Sequence, residues 1–515
     1  MAVQIIILCI YVAILLTIGF VSRRKAQTVN DFFLGGRKMG AWMTAFAYGT
    51  TYFSAVIFMG YAGRFGWSMG VSVTWIGIAN ALIGSLAVWK LMARPTREIT
   101  QRLDASTMPD FFKKRYQSPN MKTVAALLIF IFLVPYCASV YQGLSLFFES
   151  VFHISYTWCM IVMAVLTAVY LLAGGYIATA MADFFQGIVM VAGVIIMVAF
   201  VLGSDAVGGL SGGLEKLSQV PEVGSALSAP FGSAQNAVGL ISIILLTSLG
   251  TWGMPQMVHK FYAIRDAKAI KRGTLISTLF ALVIGGSAYF VGGFGRLFAS
   301  GFSESTTAAI AGKNLDVVMP AVLTQALPPW LLGLILVLLL AASMSTLSSL
   351  VLVSSSSISM DLIKGSIKPA MSEKGTMTWM RSLCALFVLL SLLLALFKID
   401  AISTLMSYSW GALSGCFLAP FLLGVRWKGM TRAGGWAGII TGLGVVVPLM
   451  ILNATGGILP AWMSPLAIGS MAMLISLIVT PIVSLMTRKF EPAHIAAVFG
   501  EASISAEAGG EAAGA

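Results

Sequence analysis

The chain has 515 residues, of which 58% are hydrophobic and only 10% charged, with a mean hydropathy of +0.92. A soluble protein carries about 25% charged residues, so a soluble fold is excluded and a polytopic α-helical membrane protein is expected. The formal net charge of +13 does not point to a nucleic-acid partner, because no basic stretch carries a recognition motif.

Apolar stretches of about 20 residues, long enough to cross the hydrocarbon core, predict thirteen spans. They cover 3–22, 41–63, 70–92, 123–148, 156–175, 180–202, 236–258, 273–298, 330–360, 377–397, 400–424, 434–453 and 463–487. The first lacks a basic leader and a small-residue cleavage site, and is expected to be retained. Of the 32 Lys and Arg residues, 27 fall on one side of this alternation; only Arg64, Lys216, Arg296, Lys313 and Lys398 fall on the other. The positive-inside rule then places the N-terminus outside and the C-terminus in the cytoplasm.

In chain order, the second span reads "AWMTAFAYGTTYFSAVIFMGYAG", with Gly49, Thr50 and Thr51 interrupting it in the middle. Asp183, in "YIATAMADFFQGIVMVAG", is the one acid expected within a span, in the first turn or so of the sixth. It either caps that helix near the interface or has a bound cation as its counter-ion. The second reading is preferred, because no Lys, Arg or His is expected at comparable depth in any other span. The seventh span, "VGLISIILLTSLGTWGMPQMV", is interrupted by Gly250, Gly253 and Pro255. Two broken spans five helices apart fit a five-helix repeat of inverted topology, about 41–202 and 236–424, with cargo bound at the breaks.

The ninth span continues into "AASMSTLSSLVLVSSSS" (341–357), with nine hydroxyls in seventeen residues. Ser345, Thr346, Ser348 and Ser349 gather on one side of a helix. Their oxygens suit a hard cation, whereas Ser354 to Ser357 are read as bonding back to their own helix. The five cysteines are read as small apolar side chains, and His153, His259 and His494 are too dispersed to form a cluster. Residues 1–500 are read as one transmembrane domain, and 501–515 as a disordered cytoplasmic tail.

"DFFLGGRKMG" (31–40), "YFSAVIFMG" (52–60), "TMPDFF" (107–112), "VPYCAS" (134–139), "GGYIATAMADFFQG" (174–187) and "AASMSTLSS" (341–349) together resemble the sodium:solute symporter family. Within it, the sodium/proline and sodium/pantothenate carriers are most similar. The resemblance implies an all-α, leucine-transporter-like fold: a five-plus-five inverted-repeat core, one helix before it and two after. It implies a first sodium held by Thr50, Phe53, Ala342, Ser345 and Thr346. A second would be held by Asp183, Ser345, Ser348 and Ser349.

For the solute, the resemblance implies Tyr52, Ser54, Tyr136, Thr247, Thr251, Trp252 and Pro255. Proline carriers have an Asp at position 52 and aromatic residues at 247 and 251, so a roomier, more hydroxyl-rich pocket is expected here. The implied activity is sodium-driven import of a small organic solute, an amino acid such as proline or a small carboxylate. It would proceed by alternating access in the cell membrane, with two sodium ions and a monomer as the functional unit. A proton-coupled carrier using Asp183 is the alternative. An enzyme is not expected, because no catalytic constellation such as H-E-x-x-H occurs.

Overall fold

The computed structural model describes residues 2–22, 28–152, 154–397, 401–456, 459–460 and 462–500. Arg23, Arg24, Lys25, His153, Lys398 and the expected tail 501–515 lie outside the described residues. The described chain is helical, and among its residues no strand forms. Met39 makes the nearest thing to a ladder, donating to Ala263 O (3.1 Å) and accepting from Arg265 N (2.9 Å).

Among the described residues, ten helices are long and apolar enough to cross a membrane. One of them, Ala41–Arg102, would extend roughly 90 Å at about 1.5 Å per residue, three times the hydrocarbon thickness. It folds back instead: the helix breaks at Phe53 and turns at Gly70, whose φ of +61° suits glycine. That segment therefore accounts for the second and third expected spans. The shorter apolar helices Ile6–Ser22 and Tyr156–Val169 fall on the first and fifth. The fifth and sixth run together over Tyr156–Gly203 except at Gly175, where φ +55° and ψ −149° bend the chain. A Cβ there would lie 2.7 Å from Phe32 O.

Polar caps mark the helix starts: Thr107, Asp266, Ser372 and Thr431 each accept the backbone N–H three residues on. Such a cap stabilises its helix by about 1 kcal/mol.

Pro329–Ile367 is the central pillar. Its most apolar window is 94% buried, against 33–56% for most of the other spans. This location explains the ninth span's composition. Its hydroxyls face protein rather than lipid, and small side chains there allow neighbouring backbones to approach closely.

The basic loops gather at one end of the bundle. Arg37 donates to Ala105 O (2.8 Å), Arg97 to Ile264 O (3.0 Å), Arg115 to Gly424 O (2.9 Å) and Arg432 to Tyr116 O (3.0 Å). This end holds a cavity of about 600 Å³ beside Gln117, Arg432 and Lys489, and a buried network. Asp361 accepts from Thr107 Oγ1 (2.8 Å) and pairs with Lys122 (3.2 Å), which also pairs with Asp110 (3.2 Å). At the opposite end, cavities of about 300 Å³ and 370 Å³ share Arg64 in their linings.

Candidate functional site

The second span is helical to Tyr52; Phe53 then takes φ −104° and ψ 94°, and Ser54 accepts the N–H of Val56 (3.2 Å) to start the next segment. Carbonyls at the end of a broken helix have no partner further along it. The ninth helix supplies partners. Ser345 Oγ donates toward Thr50 O (2.8 Å) and Ala342 O (3.4 Å). Thr346 Oγ1 lies 3.3 Å from both Thr50 O and Thr51 O, and 3.0 Å from Ala342 O. Two hydroxyl protons thus serve five acceptor contacts. The five oxygens form an electron-rich cluster, fully buried, of the kind that a hard monovalent cation neutralises. Of the expected first set, Thr50, Ala342, Ser345 and Thr346 meet. Phe53 marks the break itself, and the hydroxyls reach Thr51 O instead of its carbonyl.

The second expected set is arranged differently. Asp183 is the ninth residue of the helix that opens at Gly175, two turns in and fully buried, so it does not cap that helix. The expectation that no basic group reaches its depth does not hold. Lys260 Nζ lies 3.7 Å from Asp183 Oδ2, with the two side chains 1% and 0% exposed. The same ammonium donates to Ser349 Oγ (2.9 Å) and sits 5.2 Å from the centre of the Tyr176 ring. Ser349 in turn hydrogen-bonds Thr51 Oγ1 at 2.9 Å. Ser348 bonds back to Ser345 O (2.9 Å). A second cation about 4 Å from this ammonium would meet roughly 4 kcal/mol of repulsion at an effective dielectric of about 20.

Lys260 escaped sequence reasoning because hydropathy ends the seventh span at residue 258. The chain does not leave the bundle there. It breaks at Met254 (φ −80°, ψ 121°) and re-forms a buried helix, Pro255–Ala263. Pro255 lines a cavity of about 10 Å³ at the basic end with Phe33, Thr107, His259 and Ser356, apart from the other expected solute residues. Ser356 and Ser357 bond back to Val353 O at 2.9 Å, and Ser355 bonds back to Val351 O.

Aromatic rings gather beside the first break. Tyr52 stacks on Phe53 (4.4 Å) and faces Trp410 (6.3 Å), which meets Tyr136 edge-on at 5.7 Å. Tyr52 Oη donates to Thr247 O (2.6 Å), so its phenol takes up room expected beside Thr247 and Thr251. Those hydroxyls are engaged within the protein, Thr247 with Ile243 O (2.7 Å) and Thr251 with Ser248 O (2.8 Å). Trp252 Nε1 donates to Ile83 O (3.1 Å). Tyr136 Oη and Trp410 Nε1 are buried beside each other and beside Ser54, and neither makes a hydrogen bond within 3.5 Å. Trp410 was not singled out from the sequence. Its only signal there is one indole amid the hydroxyls of "ISTLMSYSWGALSG", and tryptophan is ordinary in membrane helices.

The sequence model of the sodium:solute symporter family matches residues 32–442. The chain belongs to the sodium:solute symporter family. Sodium/proline symporters are among the relatives of this symporter. That of Salmonella typhimurium is 31% identical over 443 residues, covering 85% of this chain and 86% of its own. An osmoregulated proline transporter of Bacillus subtilis is 30% identical over 453 residues, covering 87% and 89%. Among solved structures, a Na⁺-coupled sialic acid symporter, substrate-bound and outward-open, superposes with a TM-score of 0.76 at 17% identity, over 95% of this chain and 99% of that one. The fold is therefore the leucine-transporter-like one expected. The protein is a multi-pass membrane carrier that couples solute movement to sodium, and it is not an enzyme.

Proposed function

We propose that this symporter imports a small organic solute, an amino acid such as proline or a small carboxylate. Sodium would be held by Thr50, Thr51, Ala342, Ser345 and Thr346. The observation that carries the reading is the five-oxygen cluster where the broken second span meets the central helix. The sodium/proline relatives, at about 30% identity, support the solute class. The solute would lie against Tyr136, Trp410 and Tyr52, whose buried rings, hydroxyl and indole N–H would offer it both apolar and polar contacts. The basic end faces the cytoplasm in this reading, so the cavities at Arg64 open outward and the Asp361 network closes the inside. Sodium in the cluster would fix the break and complete the solute pocket, so that each ligand raises the other's affinity.

The test is uptake of a panel of labelled solutes into liposomes containing the purified protein, with sodium or choline outside. Sodium-dependent uptake of a zwitterionic amino acid or a monocarboxylate is expected. Uptake driven by a pH jump without sodium would instead support the proton-coupled alternative.

A further inference from the structure

Asp183 is fully buried, and its carboxylate accepts no hydrogen bond. A charge in that position requires a partner of opposite sign. The ammonium of Lys260, 3.7 Å away, is that partner. Its other neighbours are an oxygen, Ser349 Oγ at 2.9 Å, and the face of the Tyr176 ring. Carboxylate, hydroxyl and ring face are what a small cation would also find there. We propose that Lys260 is a tethered cation occupying, within the protein, the place of a second sodium. This symporter would then bind one sodium ion per cycle, at the Ser345–Thr346 cluster. The proposal rests on the sodium reading above for that first ion only.

Ser349 also hydrogen-bonds Thr51, whose carbonyl belongs to the first cluster. The ammonium therefore supports the broken helix through two hydroxyls, which a second dissolved ion would otherwise have to do. Because the tether never dissociates, this site is filled at every sodium concentration. Removing the ammonium while keeping the carboxylate should expose a site for a free cation.

The experiment counts bound ²²Na⁺ on purified, monodisperse protein by equilibrium dialysis. The wild type is expected to bind one ion, Lys260→Met two, and Lys260→Met with Asp183→Asn one. In a Ser345→Ala, Thr346→Ala background, restoring or removing Lys260 should switch the count between none and one. A count of two in the wild type would overturn the proposal, whether or not any variant folds. So would an unchanged count in monodisperse Lys260→Met protein. No ion in the wild type with one in Lys260→Met would refute the first-site reading and still support this one.

Discussion

Ser345 and Thr346 illustrate how much a single hydroxyl can decide. Each places an oxygen at the mouth of a broken helix, and each is fully buried, so no water can replace it. A hydrogen bond or ligand contact to a charged group is worth about 1.5–3 kcal/mol, and tenfold in affinity is about 1.4 kcal/mol. Ser345→Ala and Thr346→Ala should therefore each raise the sodium concentration for half-maximal uptake by about tenfold or more. Ser356→Ala, which removes a hydroxyl bonded only to its own helix, should leave it within about twofold. Sodium titration of initial uptake rates separates these outcomes. The ninth span's hydroxyls were legible because composition alone is anomalous there. Lys260 was not, because a lysine two residues past an apolar run reads as an interfacial residue, and only the fold shows that the segment turns back inside.

At the level of elements, the breaks were legible and their depths were not. Glycine and proline show where a helix stops, but the distance of Asp183 from the end of its helix depends on Gly175. The turn there lies five residues before the expected start at 180. Gly175 holds φ +55° with ψ −149°, a region closed to residues with a side chain, and a Cβ would press on the Phe32 ring at 2.6 Å. Strain of this kind costs about 1–3 kcal/mol. Gly175→Ala should therefore lower the unfolding temperature of the detergent-solubilised protein. Gly203→Ala, at the far end of the same helix with nothing within 4 Å of a new Cβ, should leave it unchanged or slightly raised. Equal melting of the two variants would show that the Gly175 turn is not the constraint argued here.

Both ends of the molecule carry cavities, about 600 Å³ beside Arg432 and Lys489 at the basic end and about 300 and 370 Å³ at Arg64. In the proposed reading the path between the helices is closed at the basic end by the Asp361 network, as in one state of an alternating-access cycle. That network joins the loop helix at Thr107, the start of the fourth span at Lys122, and the end of the central helix. Removing one member of a buried ion pair costs about 3–5 kcal/mol, so Asp361→Asn should favour states open at this end. A cysteine at Ser357, which lines the small cavity there, reports the change. Its labelling by an impermeant thiol reagent in inside-out vesicles should quicken at least tenfold, by about 1.4 kcal/mol, when Asp361→Asn is added. An unchanged rate would remove the network from the gate.

Stoichiometry also belongs to the whole molecule, because it limits how steep a solute gradient the carrier can hold. One charge moving through 100 mV supplies about 2.3 kcal/mol, which at tenfold per about 1.4 kcal/mol corresponds to about 45-fold accumulation of a solute without net charge. Two charges would square that, to about 2,000-fold. The Lys260 ammonium stays with the protein, so it contributes no net transfer over a complete cycle and adds nothing to the gradient. Liposomes with equal sodium on both sides and an imposed 100 mV, negative inside, should stop accumulating near the lower figure. Lys260→Met, if it transports, should exceed it. A wild-type plateau far above 45-fold would mean that a second mobile ion crosses with the solute, and that the lysine moves aside to admit it.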